Sequence, residues 1–503
     1  MGQSANSITL FDRAMLAVAP KWALSRLRAR AIAATLARHY DAAQGGRRTV
    51  GWGRSTADAN AENLPAIWVL RAHARELVRN NAWARNALRI IAKNTVGWGI
   101  QPKAVGAADT AAVADLWKRW AGTTDCDADG RLTFYGLQAL AMRTVVESGE
   151  VLVRRRRRRP ADGLPLALQL QVLEPDFLDP MRDNIQGQAG GPIIQGVEFD
   201  PIGRRVAYWL FDRHPGSHML ASIVSKRVPA EDIIHVFAVD RPGQVRGVSW
   251  YAPAIVNLKD FDEYEDASLM RQKIAACFAA FVTDMDGAGS PLGEQSAAEP
   301  LVETIEPGLV SRLKPGQNIE FANPPISADD GFSARTLRRV AAAMGVTYED
   351  LTGDYSQVNF SSARLARLAH WANVHNWRWN MLVPQFCDVA WGWAMEAAAL
   401  ANLVDGAPTA QWTPPPMPMI EPDKEGLALQ RLVRAGAMTP SEMVREQGDD
   451  PEAHWAEYQA DLERLDKAGI WLDSDVRRVS QAGLAQGASG KGKGEVGGES
   501  SGG

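Results

Sequence analysis

The sequence predicts an α+β protein of several regions, with helical segments on either side of a strand-rich middle and one long helix following it. Three observations carry that prediction. Apolar residues recur at helical spacing from 65 to about 148, an Asp-Gly hairpin signature opens a β-rich stretch at 151, and no Gly or Pro interrupts the chain between Pro253 and Val282.

Composition bounds the answer. A chain of 503 residues is long enough for two to four domains, and 46% hydrophobic with 23% charged residues is the balance of a folded protein. The formal net charge of -4 excludes a protein that coats nucleic acid through overall positive charge, although basic residues cluster in Arg26 to Arg38 and Arg154 to Arg159. Cys126, Cys277 and Cys387 lie far apart without a CxxC pair, so neither a disulfide framework nor a zinc site is predicted and a reducing, cytoplasmic setting is expected. The apolar patch Met15 to Ala19 follows Asp12 and Arg13 and is too short for a secretory signal, and no window reaches the length of a membrane span. Close tryptophan pairs, Trp377/Trp379 and Trp391/Trp393, are expected to pack in a core or between subunits.

Taken in order, residues 1–64 form a basic, Ala/Arg-rich arm in which 22–40 has a helical pattern between flexible flanks. Two helices follow, AIWVLRAHARELVRN and AWARNALRIIAKNTV, divided at Asn80-Asn81 and closed by Gly97. A third spans about 111–121 and a fourth 133–148, with Thr133 as its N-cap. Val151 to Val153 then run into six arginines and Pro160, turn at Asp162-Gly163 and return as the alternating LALQLQVL of 166–173. Further strands are expected at 196–200, 205–211 and 233–239.

The long helix after Pro253 carries Asp260, Asp262, Glu263, Glu265 and Asp266 in its early half, and Asp262, Glu263 and Asp266 share a sector roughly 100° wide. Its apolar residues, Ile255, Leu258, Phe261, Tyr264, Met270, Ile274, Phe278 and Phe281, wind around the axis, the pattern of a helix with neighbours on several sides. Residues 284–330 are Gly/Pro-rich with short strands near 309–313 and 319–321. Helix resumes at 334–344, TGDYSQVNF (352–360) is a polar loop, and a helical pattern runs from Ser361 to Leu403, where Pro384 is expected to kink or divide it. The run TPPPMP (413–418) is a stiff linker, Thr439-Pro440-Ser441-Glu442 and Asp450-Pro451 start two short helices, and the Gly/Ser/Lys-rich chain beyond about 481 is expected to be disordered.

Catalytic motifs are missing. No GxxxxGK[ST], HExxH or EF-hand pattern occurs, and His370 and His375 are spaced so that they do not share a helix face, which predicts packing histidines. Three candidates remain. The arginines Arg154, Arg155, Arg156, Arg157, Arg158 and Arg159 fit a contact to phosphate backbones or an acidic partner, against the blander expectation that strand alternation leaves three on each face in water. The acidic cluster is either a solvated helix face or a lining that must not adhere to DNA. The loop 352–360 has the Gly, Asp, Ser and Asn residues of a protruding, mobile segment.

Several segments together resemble the portal proteins of tailed bacteriophages, lambda-type family: RNNAWARNALRIIAKNTVGWGIQP (79–102), ESGEVLVR (147–154), LQLQVLEPDFLD (168–179), the run from Glu231 to Val282, LTGDYSQVNFSSARLA (351–366) and EPDKEGLALQRLVRAGAMTPSEMVREQGDD (421–450). Their order and spacing, over roughly 65 to 480, make the resemblance specific, while the arm and the tail fall outside it and the arginine run is an addition.

That resemblance implies a portal fold, a mixed α/β wing with a long helical stem, a small α/β clip and a helical crown, assembling into a ring of usually twelve copies at one capsid vertex. Residues 65–249 would be the wing, 250–283 the first stem helix, 284–330 the clip, 331–345 the second stem helix, 346–412 the tunnel loop and channel helices, and 413–480 the linker and crown-like helices. The implied partners are double-stranded DNA, the terminase motor, the major capsid or scaffold protein and head-completion or neck proteins, with no membrane, enzymatic activity, metal or cofactor. The implied location is the virion, after assembly in the host cytoplasm. Asp262, Glu263 and Asp266 would line the DNA channel or pair with Lys259, Arg271 or Lys273 of an adjacent subunit. Asp354, Tyr355, Ser356, Gln357, Val358, Asn359 and Phe360 would form the tunnel loop. The rival function is a phage nuclease gripping DNA with the arginine run, which requires a metal-binding carboxylate cluster in a pocket.

Overall fold

The computed structural model describes residues 55–470, apart from 184, 219–223, 277–278, 285–316 and 323–330, with a few single residues beyond either end. The chain divides into two units, Met1–Asp58 and Ala59–Gly503, and nearly all described residues belong to the second. Most of the expected basic arm, the strand expected near 309–313 with much of its Gly/Pro-rich region, and the Gly-rich tail lie outside the described residues.

Helix α1 (Ile67–Asn80) and helix α2 (Ala82–Val96) break at Asn81, whose extended backbone lets its side chain accept the Ala84 N–H at 2.8 Å. Strand β1 (Gln101–Val105) pairs far along the chain with Thr409–Thr413. Helix α3 (Thr110–Ala121) starts at an Asp109 cap, and helix α4 (Phe134–Ser148) starts at the expected Thr133 cap.

Strand β2 (Glu150–Arg157) is the centre of a three-stranded antiparallel sheet, between β3 (Leu168–Leu173) and β9 (Ile233–Phe237). The expected hairpin therefore forms, with Arg157 opposite Leu168 and Gly163 in the left-handed region. A second sheet is a five-stranded meander of β4 (Ile185–Gln186), β5 (Pro192–Ile194), β6 (Val197–Phe199), β7 (Arg205–Leu210) and β8 (Lys226–Pro229). Alternation along β2 feeds two cores. Val151 and Val153 face the main core, while Leu152 joins Tyr208, Leu210, Val228 and Ile233 under the meander.

The long helix α5 spans Ile255–Ala276 and does not reach Val282: residues Ala279–Asp284 form β10, antiparallel to β11 (Gln317–Ala322). Six registered backbone pairs outweigh the mere absence of helix breakers there, a long-range interaction that local reading does not contain. Helices α6 (Phe332–Met344), α7 (Tyr348–Thr352) and α8 (Phe360–Trp377) follow.

Pro384, expected to kink or divide the helix, does not divide it. It sits in a π-helical stretch, Arg378–Cys387, that runs unbroken from α8 into α9 (Asp388–Leu400). The wider turn, closed for example by Asp388 N–H to Val383 C=O, relieves the clash between the proline ring and the carbonyl four residues back. Strand β12 (Thr409–Thr413) and helices α10 (Pro422–Arg434), α11 (Pro440–Glu446) and α12 (Pro451–Ala468) complete the described chain.

The main core gathers α2, α3, α4, the π-helical stretch and α9 around Trp117, Trp120, Phe134, Phe386, Trp391 and Trp412. Trp117 and Trp391 lie 4.8 Å apart by ring centroid, and Trp393 is buried too, so this part of the tryptophan set packs as expected. Trp379 does not; it is 43% exposed.

Candidate functional site

The root of α5 is built on a buried charge cluster. Gly149 ends α4 at φ +91° and the segment from Gly247 to Ser249 crosses it so closely that a Cβ on Gly247 would overlap the Gly149 carbonyl oxygen. The next residue, Glu150, is fully buried and accepts from Arg246 Nε at 2.8 Å, Arg71 Nη2 at 3.0 Å, His235 Nε2 at 2.9 Å and the Gly247 N–H at 2.9 Å. Arg246 also donates to Gln195 C=O at 3.0 Å, and Arg71 lies 3.6 Å from Asp176. Burial alone would raise the Glu150 carboxyl, but the Arg246 guanidinium and His235 hold it well below the usual carboxylate range. Burial pushes His235 down to about 4 despite the adjoining carboxylate, so its ring is neutral. This cluster ties α1, β2, β9 and the approach to α5 into one unit.

Two further contacts fix the first turns of α5. Tyr251, buried, donates its hydroxyl to Ala84 C=O at 2.6 Å, and Asn81 Nδ2 donates to Asp262 Oδ1 at 2.6 Å. Asn81 thus caps α2 with its oxygen and holds α5 with its nitrogen. The sequence marked Asn81 only as a helix boundary; its helix-capping residue type was the one signal of the larger role.

The expected acidic trio does not act as one group. Asp262 is half-buried against Asn81, whereas Glu263 and Asp266 are exposed, Glu263 lying 3.5 Å from Lys259 of its own helix. Asp260 and Glu265 are also exposed, and burial together with the Asp262 and Asp266 carboxylates raises Glu265. The inward side of α5 carries Ile255, Leu258 and Phe261, and Tyr264 packs against Phe332 of α6 with ring centroids 4.5 Å apart and the rings tilted by 48°. Val256, Leu269 and Met270 are 68%, 50% and 58% exposed.

The loop after α7 is exposed at Asp354, Tyr355, Ser356 and Gln357, and half-buried at Val358. It is ordered by its own polar groups: Asp354 accepts the Ser356 N–H at 3.0 Å, and the Tyr355 hydroxyl donates to Asp350 at 3.2 Å. Asn359 belongs to α8 as its capping residue, paired reciprocally with Ser362, and Phe360 is the first helical residue. Behind the loop, α8 buries only His370 and Val374. His370 packs, contacting Asn94 Nδ2 at 2.9 Å and Gly345 C=O at 2.9 Å, while His375 is exposed. Buried Arg378 donates to the last carbonyls of α2, Thr95 and Asn94, each at 2.7 Å; burial pushes it down to about 10.

The arginine run departs from the expectation of three solvated side chains per face. Arg155 is buried and pairs with Glu396 at 2.8 Å, Arg157 pairs with Asp232 at 2.8 Å and Arg159 with Asp162 at 3.4 Å. Arg154, Arg156 and Arg158 are half-buried on the other face.

Among the described residues, one group has the donors of a metal site, Glu174, Asp176 and His214. Arg75 stands between the two carboxylates, 2.8 Å from Glu174 and 2.6 Å from Asp176, so a guanidinium fills the place a nuclease would give its metal. No helix among the described residues is long and apolar enough to cross a membrane.

A sequence profile described as phage portal protein, lambda family, matches residues 45–378, more than half of the chain. The chain belongs to the lambda family of phage portal proteins. Its function is that of the family, a structural connector between phage head and tail. Similar portal proteins include a probable portal protein of Halomonas phage phiHAP-1, 27% identical over 87% of this chain and 88% of that protein. Another is portal protein B of Escherichia phage lambda, 23% identical over 86% and 91%. Among solved structures, a chain in the neck of an empty GTA particle has a TM-score of 0.45 at 17% identity, covering 75% of this chain and 93% of that one. A chain in a native GTA neck computed with C12 symmetry has a TM-score of 0.42.

Proposed function

We propose that copies of this portal protein close into a ring, of twelve subunits, at one vertex of the head, and that double-stranded DNA passes through its bore during packaging and ejection. The observation that carries this reading is α5. A helix whose root is locked by Tyr251, Asn81 and the Glu150 cluster, yet which leaves Val256, Leu269 and Met270 in water, is complete only with neighbouring copies around it. On this reading residues 65–249 are the wing, 250–283 and 331–345 the stem helices, 284–330 the clip that meets the terminase motor and later the neck, and 413–480 the linker and crown. The capsid or scaffold protein meets the ring from the head side.

A conduit must confine DNA without holding it, because each Lys or Arg contact to phosphate adds affinity and slows sliding. Glu263 and Asp266, repeated around a ring, supply a band of repulsion, while Asp262 serves the root. The loop from Asp354 to Val358, with Asn359 and Phe360 at its end, projects from α8 and touches the duplex. Electron microscopy of the purified protein tests the reading: a ring with a central hole, about 0.66 MDa for twelve copies of the 54.8 kDa chain, is expected. A monomer at all concentrations overturns it.

A further inference from the structure

The six arginines following Val153 divide by face, and only one face is neutralised. Arg155, Arg157 and Arg159 each meet a carboxylate of the same protomer, and Arg155 also lies over the Trp393 ring. Arg154, Arg156 and Arg158 form no ion pair among the described residues; Arg158 Nε donates to the neutral Gln169 Oε1 at 2.8 Å, and the carboxylate that feels Arg158 from nearby, Asp162, is engaged by Arg159. The carboxylates that act on Arg154 from nearby, Asp232 and Asp212, are already engaged by Arg157 and by Lys226 at 2.6 Å. Burial, and then the neighbouring Arg156, push Arg154 below its ordinary value. Across the hairpin, Arg154 faces Gln171 and Arg156 faces Gln169, so the cross-strand positions supply amides and no counter-charge.

Alternate residues of a strand lie roughly 7 Å apart, which makes the three side chains a straight row of like charges. Such a row repels itself, and none of its members has an ion-pair partner of its own among the described residues. Arginine's planar fork suits phosphate oxygens, two at a time. We propose that Arg154, Arg156 and Arg158 form a phosphate-binding ridge that holds the backbone of double-stranded DNA on the surface of the portal, outside its bore. The inference rests on the portal reading, since DNA is the polyanion such a protein meets, and it adds a site that retains DNA to a channel that releases it.

The test uses the assembled full chain and covalently closed circular duplex, which has no end to thread a bore, titrated over a salt series. The R154Q/R156Q variant is expected to bind about tenfold more weakly, with a salt slope smaller by about 2, because two phosphate contacts are lost. The R157Q/R159Q variant removes the same charge from the neutralised face and is expected to stay within about twofold of the parent. Melting temperature checks the folds, and R154Q/R156Q has no ion pair to lose. Equal losses in the two variants, or none in R154Q/R156Q, overturn the ridge. Unchanged DNA binding with loss of poly-glutamate binding in R154Q/R156Q overturns the DNA assignment in favour of an acidic protein. Rings with unaffected DNA binding remove this proposal alone, whereas a chain that never forms rings removes the portal reading.

Discussion

Glu150 is the residue on which the described architecture turns. One carboxylate balances two buried guanidiniums and accepts a hydrogen bond from a neutral imidazole, so removing it leaves Arg71 and Arg246 without a counter-charge at that place. Glu150→Gln is expected to cost about 3–5 kcal/mol, read as a large drop in melting temperature or a chain that does not fold. Acid acts on the same cluster. His235 titrates near 6.5 when unfolded and at about 4 when folded, so the unfolded chain binds the extra proton between those values and stability falls as pH drops through that window. Glu150, held low in the fold, adds to the loss below the usual carboxylate range. A melting series should decline steadily below pH 6.5, and His235→Gln, which keeps a donor toward Glu150, should flatten it between 6.5 and about 4. An equally steep decline in that variant assigns the acid sensitivity elsewhere.

At the scale of elements, α5 and the loop before α8 make separable predictions. Glu263→Lys with Asp266→Lys is expected to leave rings intact but slow or stall genome packaging, measured as DNA-filled heads; normally filled heads remove the lining role. Deleting 354–358 is expected to leave assembly unchanged and reduce genome retention, and unchanged retention makes the loop a connector. Much of this level was legible beforehand. Caps at Thr133, Thr439 and Asp450, the Asp-Gly hairpin and the stop at Gly97 all act over a few residues, which is the range that sequence spacing reports. What escaped depends on distant partners. The strand at Ala279–Asp284 needs Gln317–Ala322, the inward turn of Asp262 needs Asn81, and the paired face of the arginine run needs Glu396 and Asp232. Pro384 escaped for another reason: a rule framed for the α-helix does not anticipate the wider helix that accommodates it.

At the scale of the molecule, the family was readable because ordered segments spread over most of the chain carry it, and the profile match over 45–378 takes in all of them but the last, 421–450. Glu150, His235 and Arg246 were not singled out as a group, since lone charged residues scattered over about a hundred positions do not announce that they converge. The C-terminal helix α10, which the sequence reading did not single out, and α12, expected only as a short helix, keep almost nothing buried among the described residues, with Leu432 and Trp455 each 43% exposed. Where Gly247 passes Gly149, main chain rests directly on main chain, with Phe237 closing in beside it. A methyl group at either glycine would wedge the two segments apart, so this crossing tolerates no thickening and ties the entry of α5 to the end of α4 at a fixed separation.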